Sequence, residues 1–269
     1  MALQPNTSVD QIFDALRVIG GAGEPVRVAD LARALDLPTS TAHRLLATLQ
    51  DAGFAARDST GLRYELGIRA FELVHRLFGQ YGLPRASELF IRRLVAVTGE
   101  TAALDVRVGW YAVRMAGLEG TREIHVAPRI GQTVRLGDSA GGRAILATVP
   151  EAIGRYARWA ALNRPARRRL DNAVGVIAEH GFAHVPAAGG CAAELAFPIG
   201  LGGGVAAAIS IEGTCPAIAA TPRTGELKRC RTIVAELESM VASDPMLAHD
   251  PFAHLDPDGL ELAVPQLPA

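Results

Sequence analysis

The chain has 269 residues, of which 49% are hydrophobic, 20% charged and only 5% aromatic, the composition of a soluble globular protein long enough for two domains. Its 27 Lys and Arg against 28 Asp and Glu give a formal net charge of −1. No global basic field is present, so bulk charge taken alone argues against a nucleic-acid partner.

The amino terminus, MALQPNTSVDQIFDAL, has neither the basic stretch nor the long apolar run of a signal peptide. Ser8 suits the N-cap of a helix in which Ile12, Leu16 and Ile19 recur on one face, and the glycines of residues 20–23 stop it. Residues 28–35 form a second amphipathic run, with Val28, Leu31, Ala32 and Leu35 as its apolar stripe. After only Asp36-Leu37-Pro38 a third helix is expected, capped by Thr39 or Ser40 and ended by Gly53. Two short helices joined by so tight a turn have helix-turn-helix geometry, in which the second helix lies in the major groove.

That third helix separates by face. Ala42, Leu45, Leu46 and Leu49 hold core spacing, which leaves Ser40, Thr41, His43, Arg44 and Thr48 outside, with Thr39 at the start. Short hydroxyls near a helix N-terminus suit phosphate contacts, and an Arg at the second turn can meet guanine O6 and N7 with two parallel donors. Residues 54–57, a turn at 58–61 and residues 62–66 read as a β-hairpin, a wing that would place Arg57 and Arg63 near the phosphate backbone. Pattern alone leaves a second reading open, because three-helix segments occur in many proteins that never touch DNA and residues 1–80 hold eight Arg against nine acids.

Residues 67–78 are apolar at helical spacing and read as a connecting helix, followed by a hinge up to Pro84 and another amphipathic helix over 84–98. Strands are then expected at 101–108, 110–115 and 122–127, helices at 139–148, 151–160 and 165–180, strands at 182–185, 194–198 and 204–211, and a last helix at 221–241. Strands, then helices, then strands again indicate an α+β domain with one sheet covered by helices. The longest uncharged run, residues 195–211, contains Pro198 and four glycines, so it reads as core strands and a turn rather than a membrane span. The final 26 residues hold five acids, five prolines and no Lys or Arg. The net charge therefore divides into −5 in this tail, read as an irregular or disordered acidic extension, and +4 in the rest.

Nothing in the sequence has the spacing of a catalytic constellation. No Gly-x-Ser-x-Gly, His-Glu-x-x-His or phosphate loop occurs, and the glycine-rich residues 200–204 follow a strand without opening a helix, so a hairpin turn is expected there. Cys191, Cys215 and Cys230 are too few and too widely spaced for a disulfide framework or zinc knuckle and suit a reducing cytoplasm. His125, His180 and His184 with Glu194 lack tight ligand spacing, so no metal and no cofactor is expected. The six arginines over residues 155–169 read as a solvated helix face or subunit contact.

The segment VADLARALDLPTSTAHRLLATL (residues 28–49), followed by Gly53-Phe54 and RYELG (63–67), closely resembles the IclR family of bacterial transcription regulators. Further matches are Gly99-Glu100-Thr101, SAGGRAILA (139–147) and AAISIEG (207–213), so the resemblance runs over residues 8–243 and leaves the tail outside. It implies a winged helix-turn-helix domain over 1–66, a linker helix and hinge over 67–83, a GAF-like effector-binding domain over 84–243, and a separate acidic tail over 244–269. The family's effector pocket, carried over by position, would use Ser139, Ala140, Gly141, Val185 or its neighbour His184, Glu194, Ser210 and Glu212. Val185, Glu194 and Glu212 depart from the Asp, Cys and Ser found in members that bind small carboxylates, and one residue is missing between Gly181 and Pro198.

Two carboxylates facing a pocket repel an anion unless they are paired or protonated. Three outcomes stay open: Arg129, Arg135 or Arg143 neutralises the glutamates, the effector is cationic or neutral and polar, or the domain binds nothing. The expected function is a cytoplasmic repressor, a dimer or dimer of dimers on a palindromic double-stranded operator, modulated by a small-molecule effector and without a membrane partner. The alternatives are control by a protein partner through the acidic tail and, more remotely, an enzyme whose first domain is an interaction module.

Overall fold

The structure, a computed structural model, describes residues 7–80, 82–186, 192–200, 206–214, 218 and 225–247, and in the tail 252, 255–260 and 262. Two compact units divide the chain, Met1–Gly79 and Gln80–Ala269.

The first unit opens with α1 (Thr7–Gly21), α2 (Val28–Ala34) and α3 (Thr39–Asp51), and continues into an antiparallel hairpin of β1 (Ala55–Arg57) and β2 (Tyr64–Leu66). Ala15, Ile19, Leu31, Ala42, Leu46, Leu49 and Tyr64 fill its core, as the helical stripes required. Val26 adds a short bridge, exchanging two backbone bonds of 2.8 Å with Tyr64, which ties the loop before α2 to the hairpin. Gly53 follows α3 at φ +77, a left-handed conformation that glycine adopts without a Cβ penalty. Both expected hydroxyl caps are corrected. Ser8 lies inside α1, and Pro38 caps α3 with no side-chain bond, its carbonyl accepting from Thr41 and Ala42 at 2.9 and 3.0 Å. The fixed φ of proline, −57 here, already holds the extended entry that a cap needs, so Thr39 and Ser40 are free to be helical. The connecting helix is α4 (Ile68–Gln80), and its Ile68, Phe71, Leu73 and Val74 side chains are exposed.

In the second unit, α5 (Gly82–Thr98) precedes β3 (Thr101–Val108), β4 (Tyr111–Leu118) and β5 (Thr133–Arg135). Then follow α6 (Ala140–Thr148), α7 (Ile153–Trp159), α8 (Arg164–His180), β6 (Ala183–Pro186), β7 (Ala192–Gly200), β8 (Ala206–Thr214) and α9 (Glu226–Ser243). All six strands pair antiparallel in the order β5-β4-β3-β8-β7-β6, giving the expected α+β architecture. The strand expected at 122–127 is irregular instead, and the third strand falls at Thr133–Arg135. Residues 201–204 of the expected glycine-rich turn and two of the three cysteines, Cys191 and Cys215, lie outside the described residues.

The sheet separates two cores. On one face Leu104, Phe197 and Ile209 meet Phe90 and Leu94 of α5 and Ile233 and Leu237 of α9. Burying each such side chain is worth about 1.5–3 kcal/mol, so this layer carries much of the unit's hydrophobic stabilisation. The other face is lined by small residues, Ala112, Ala196 and Ala208, against Ala140 and Ala144 of α6. Small residues on both sides let α6 approach closely, and a Cβ on Gly142 would strike the Leu136 carbonyl.

The described part of the acidic tail consists of turns, yet it does not stand apart from the domain. Leu247 and Phe252 pack against the α5–α9 core. Asp258 accepts from the Trp110 indole at 2.8 Å and pairs with Arg155 at 2.7 Å, and these two contacts hold its carboxyl below the usual range, Arg155 first.

Candidate functional site

Two surfaces hold the candidate residues. On α3, Thr39, Ser40, His43, Arg44 and Thr48 are exposed and Thr41 is half-buried, while Ala42, Leu45, Leu46 and Leu49 face inward. Because Pro38 caps the helix through its carbonyl alone, the first α3 amides have no side-chain partner among the described residues, and two exposed hydroxyls flank them. Among the described residues nothing hydrogen-bonds the Arg44 guanidinium, whereas Thr48 is bonded back to the Arg44 carbonyl at 2.9 Å. Arg57 is less available than expected. Its guanidinium donates to the Gly61 carbonyl at 2.5 Å and lies 4.9 Å from the Tyr64 ring centroid, so it braces the hairpin. Arg63 is half-buried, with Glu24 at 3.9 Å.

The second surface is a cavity of about 350 Å³ in the second unit, bounded by the start of α6 and by β3, β4, β7 and β8. Ser139, Val185, Glu194 and Glu212 line it. Ala140, Gly141 and Ser210 stand behind this lining, fully or almost fully buried, and His184 is exposed. Ser139 caps α6, its Oγ accepting from the Gly142 amide at 2.9 Å. Glu194 completes that helix end from β7: Oε2 accepts from the Ala140 amide at 2.7 Å and Oε1 from the Gly141 amide at 2.9 Å. An anion is thus built into the α6 N-terminus, where free amides and the helix dipole favour one.

Asp105 and Arg114 were missed by the sequence reading. The β3–β4 register shifts between Leu104 and Asp105, and this irregularity sets Asp105 directly opposite Arg114. Arg114 Nε and Nη2 reach the two Asp105 oxygens at 3.0 and 3.3 Å, and Nη2 also meets Glu212. Ser210 donates to Asp105 Oδ2 at 2.6 Å. Buried charges have to be paired, so a lone Asp in one apolar strand and a lone Arg in the next were the available signal. The three expected neutralisers do other work or lie outside: Arg143 donates to the Gly137 carbonyl at 2.9 Å, Arg135 lies over Trp159, and Arg129 is exposed. Glycine at 141 is required here, since a Cβ would come within 2.5 Å of Asp105 Oδ2.

Electrostatics follow from this packing. Burial would lower the Arg114 pKa, but the Asp105 and Glu212 charges outweigh it and hold the guanidinium charged. Burial, then the Asp105 and Glu212 carboxylates, push the Glu194 carboxyl up to about 7 against the pull of the Gly141 and Ala140 amides. Elsewhere, burial foremost pushes the Cys230 thiol up to about 11, which keeps it inert. Among the described residues no group of His, Cys, Asp or Glu is placed to hold a metal, and no helix is long and apolar enough to cross a membrane.

Residues 8–59 match the IclR helix-turn-helix domain. The HTH-type transcriptional repressor AllR of Escherichia coli is 30% identical over 136 residues, spanning 51% of this chain and 50% of AllR. The "Probable transcriptional regulator SauR" of Cupriavidus necator is 27% identical over 152 residues, 60% of its length, so the chain spans about half to three fifths of these two curated relatives. An IclR homologue from Microbacterium hydrocarbonoxydans, crystallised with 4-hydroxybenzoate, superposes with a TM-score of 0.69 over 88% of this chain and 100% of its own, at 18% identity.

Proposed function

We propose that this chain, whose residues 8–59 match the IclR helix-turn-helix domain, is an IclR-type DNA-binding repressor whose affinity for a palindromic operator is set by a small molecule held in its second unit. The partition of α3 carries this reading: one face closes the core, while Thr39, Ser40, His43, Arg44 and Thr48 remain in solvent. In the groove Arg44 would read a guanine edge, the hydroxyls would meet phosphate, and the hairpin would follow the backbone with Arg63 and the braced Arg57. A single winged helix buries too little surface for tight specific binding, so two copies, or two pairs, occupy a two-fold site. The exposed apolar side chains of α4 offer a surface that a second copy would cover. Repression follows the example of AllR, and a small-molecule effector that of the homologue bound to 4-hydroxybenzoate. The effector changes operator affinity only by binding the DNA-competent and DNA-incompetent arrangements unequally.

Arg44→Ala tests the reading. Affinity for an operator selected in vitro is expected to fall about tenfold to a hundredfold, since a bidentate contact to a base is worth about 1–3 kcal/mol. The melting temperature should stay that of the parent, because the side chain is exposed. Unchanged gel-shift affinity would remove α3 from the groove.

A further inference from the structure

The cavity of the second unit already contains the anion that its helix end would attract. Both Glu194 oxygens are held by the first two α6 amides, so a ligand carboxylate arriving there would first have to displace the protein's own. Asp105, Glu212 and the exposed Asp138 also border the space, and Arg114 is the lining cation among the described residues. Its Nε and Nη2 are taken by Asp105, Glu212 and Ser210, which leaves the remaining carboxylate charge uncompensated.

A second observation points to a ligand rather than to a sealed structural cluster. Arg114 is only 6% exposed, yet among the described residues its Nη1 has no hydrogen-bond partner. A buried donor left unmade is costly, and a ligand oxygen would satisfy it. Val126, Val134 and Val185 supply apolar wall, and about 350 Å³ has room for one ring or a short chain.

Resting on the reading of this unit as ligand-sensing, we propose that the cavity takes a small ammonium compound that also carries a hydroxyl or carbonyl oxygen, and that it rejects carboxylates. The ammonium group meets the Glu194 and Glu212 side, the oxygen accepts from Arg114 Nη1, and the apolar body lies along the valines. Rejection is electrostatic, since an anion would meet Asp105, Asp138, Glu194 and Glu212 against the single lining cation Arg114 among the described residues, in a partly desolvated space. Glu194 titrates near neutrality, so an incoming cation also favours its ionised form.

Calorimetric titration of the full chain with two matched pairs tests this: tyramine against 4-hydroxyphenylacetate, and ethanolamine against glycolate. Wild type is expected to bind at least one amine about tenfold more tightly than its carboxylate partner, a difference of about 1.4 kcal/mol. Glu194→Ala, which frees the α6 amides, should weaken amine binding and admit the carboxylate. Glu194→Gln serves if the alanine variant does not fold, with loss of amine preference as its expected result. A carboxylate that binds wild type as tightly as its amine partner overturns the proposal, and so does silence of all four probes. Operator affinity measured alongside separates the two readings. A carboxylate that binds and shifts operator affinity leaves the regulator standing and sinks the ligand class, whereas an amine that binds without moving operator affinity does the reverse.

Discussion

Helices α3 and α6 are both entered past proline or short hydroxyl side chains, but they treat their amide ends differently. The start of α3 has a proline carbonyl for a cap, exposed hydroxyls around it and no acid on its first turn. The start of α6 is filled twice, by the Ser139 hydroxyl and by a glutamate 54 residues further along the chain. The same orphan N–H groups and the same dipole thus serve opposite ends. One end is left open for an anion from outside the protein, and the other is closed by an anion of its own.

The contrast is broken most severely at Arg114. Arg114→Ala should destabilise the chain by about 3–5 kcal/mol in urea titration, because buried Asp105 and neighbouring Glu212 lose the cation that pairs them. Arg44→Ala, by comparison, should leave the same denaturation curve in place. A mild Arg114→Ala would mean that water screens the cluster and that the α6 end is as open as that of α3.

The next effect is one of pH. The folded Glu194 carboxyl, near 7, keeps its proton to higher pH than the unfolded one, near 4.5, so the native state binds the extra proton between these values. Stability is therefore expected to fall as pH rises from about 4.5 to about 7 and to level off above. Glu194→Gln should flatten this part of the profile, measured as melting temperature against pH. An unchanged slope would assign the titration to another group.

The smallest effects belong to the open end. Thr39→Ala and Ser40→Ala should each lower DNA affinity about twofold to tenfold, the worth of one hydrogen bond. The loss should be equal on operator and unrelated DNA if the hydroxyls meet phosphate. A loss confined to the operator would show that they read bases.

Much of this was legible in the chain because it is local. The Ala42, Leu45, Leu46, Leu49 stripe declares which face of α3 is buried, and Pro38 with Gly53 brackets the helix. The hairpin and the alternation of the β3 and β8 strands are likewise short-range patterns. The strand misplaced at 122–127 shows the limit, since β5 is a three-residue edge strand, Thr133–Arg135, held by pairing with β4 and not by a pattern of its own.

The cavity of the second unit was half legible. Glu194 and Glu212 stood out as departures from the pattern of the family the sequence resembles, but the cation beside Glu212 did not, because Arg129, Arg135 and Arg143 lie near the α6 start in sequence whereas Arg114 meets Glu212 from a strand two places away in the sheet. The tail posed the same difficulty: its composition marks it as acidic and irregular, while the contact of Asp258 with Trp110 joins residues 148 apart.

By itself, then, the sequence determined the helix-turn-helix, the exposed polar face of α3, the α+β plan of the second unit and the division of charge between body and tail, since each follows from periodicity, turn residues and counting along the chain. Only the tertiary structure decided what Glu194 does and which cation pairs with Asp105 and Glu212 beside it. That choice depends on a shift of strand register at Asp105 and on the closeness of α6 to the sheet, distances set by packing among residues far apart in sequence.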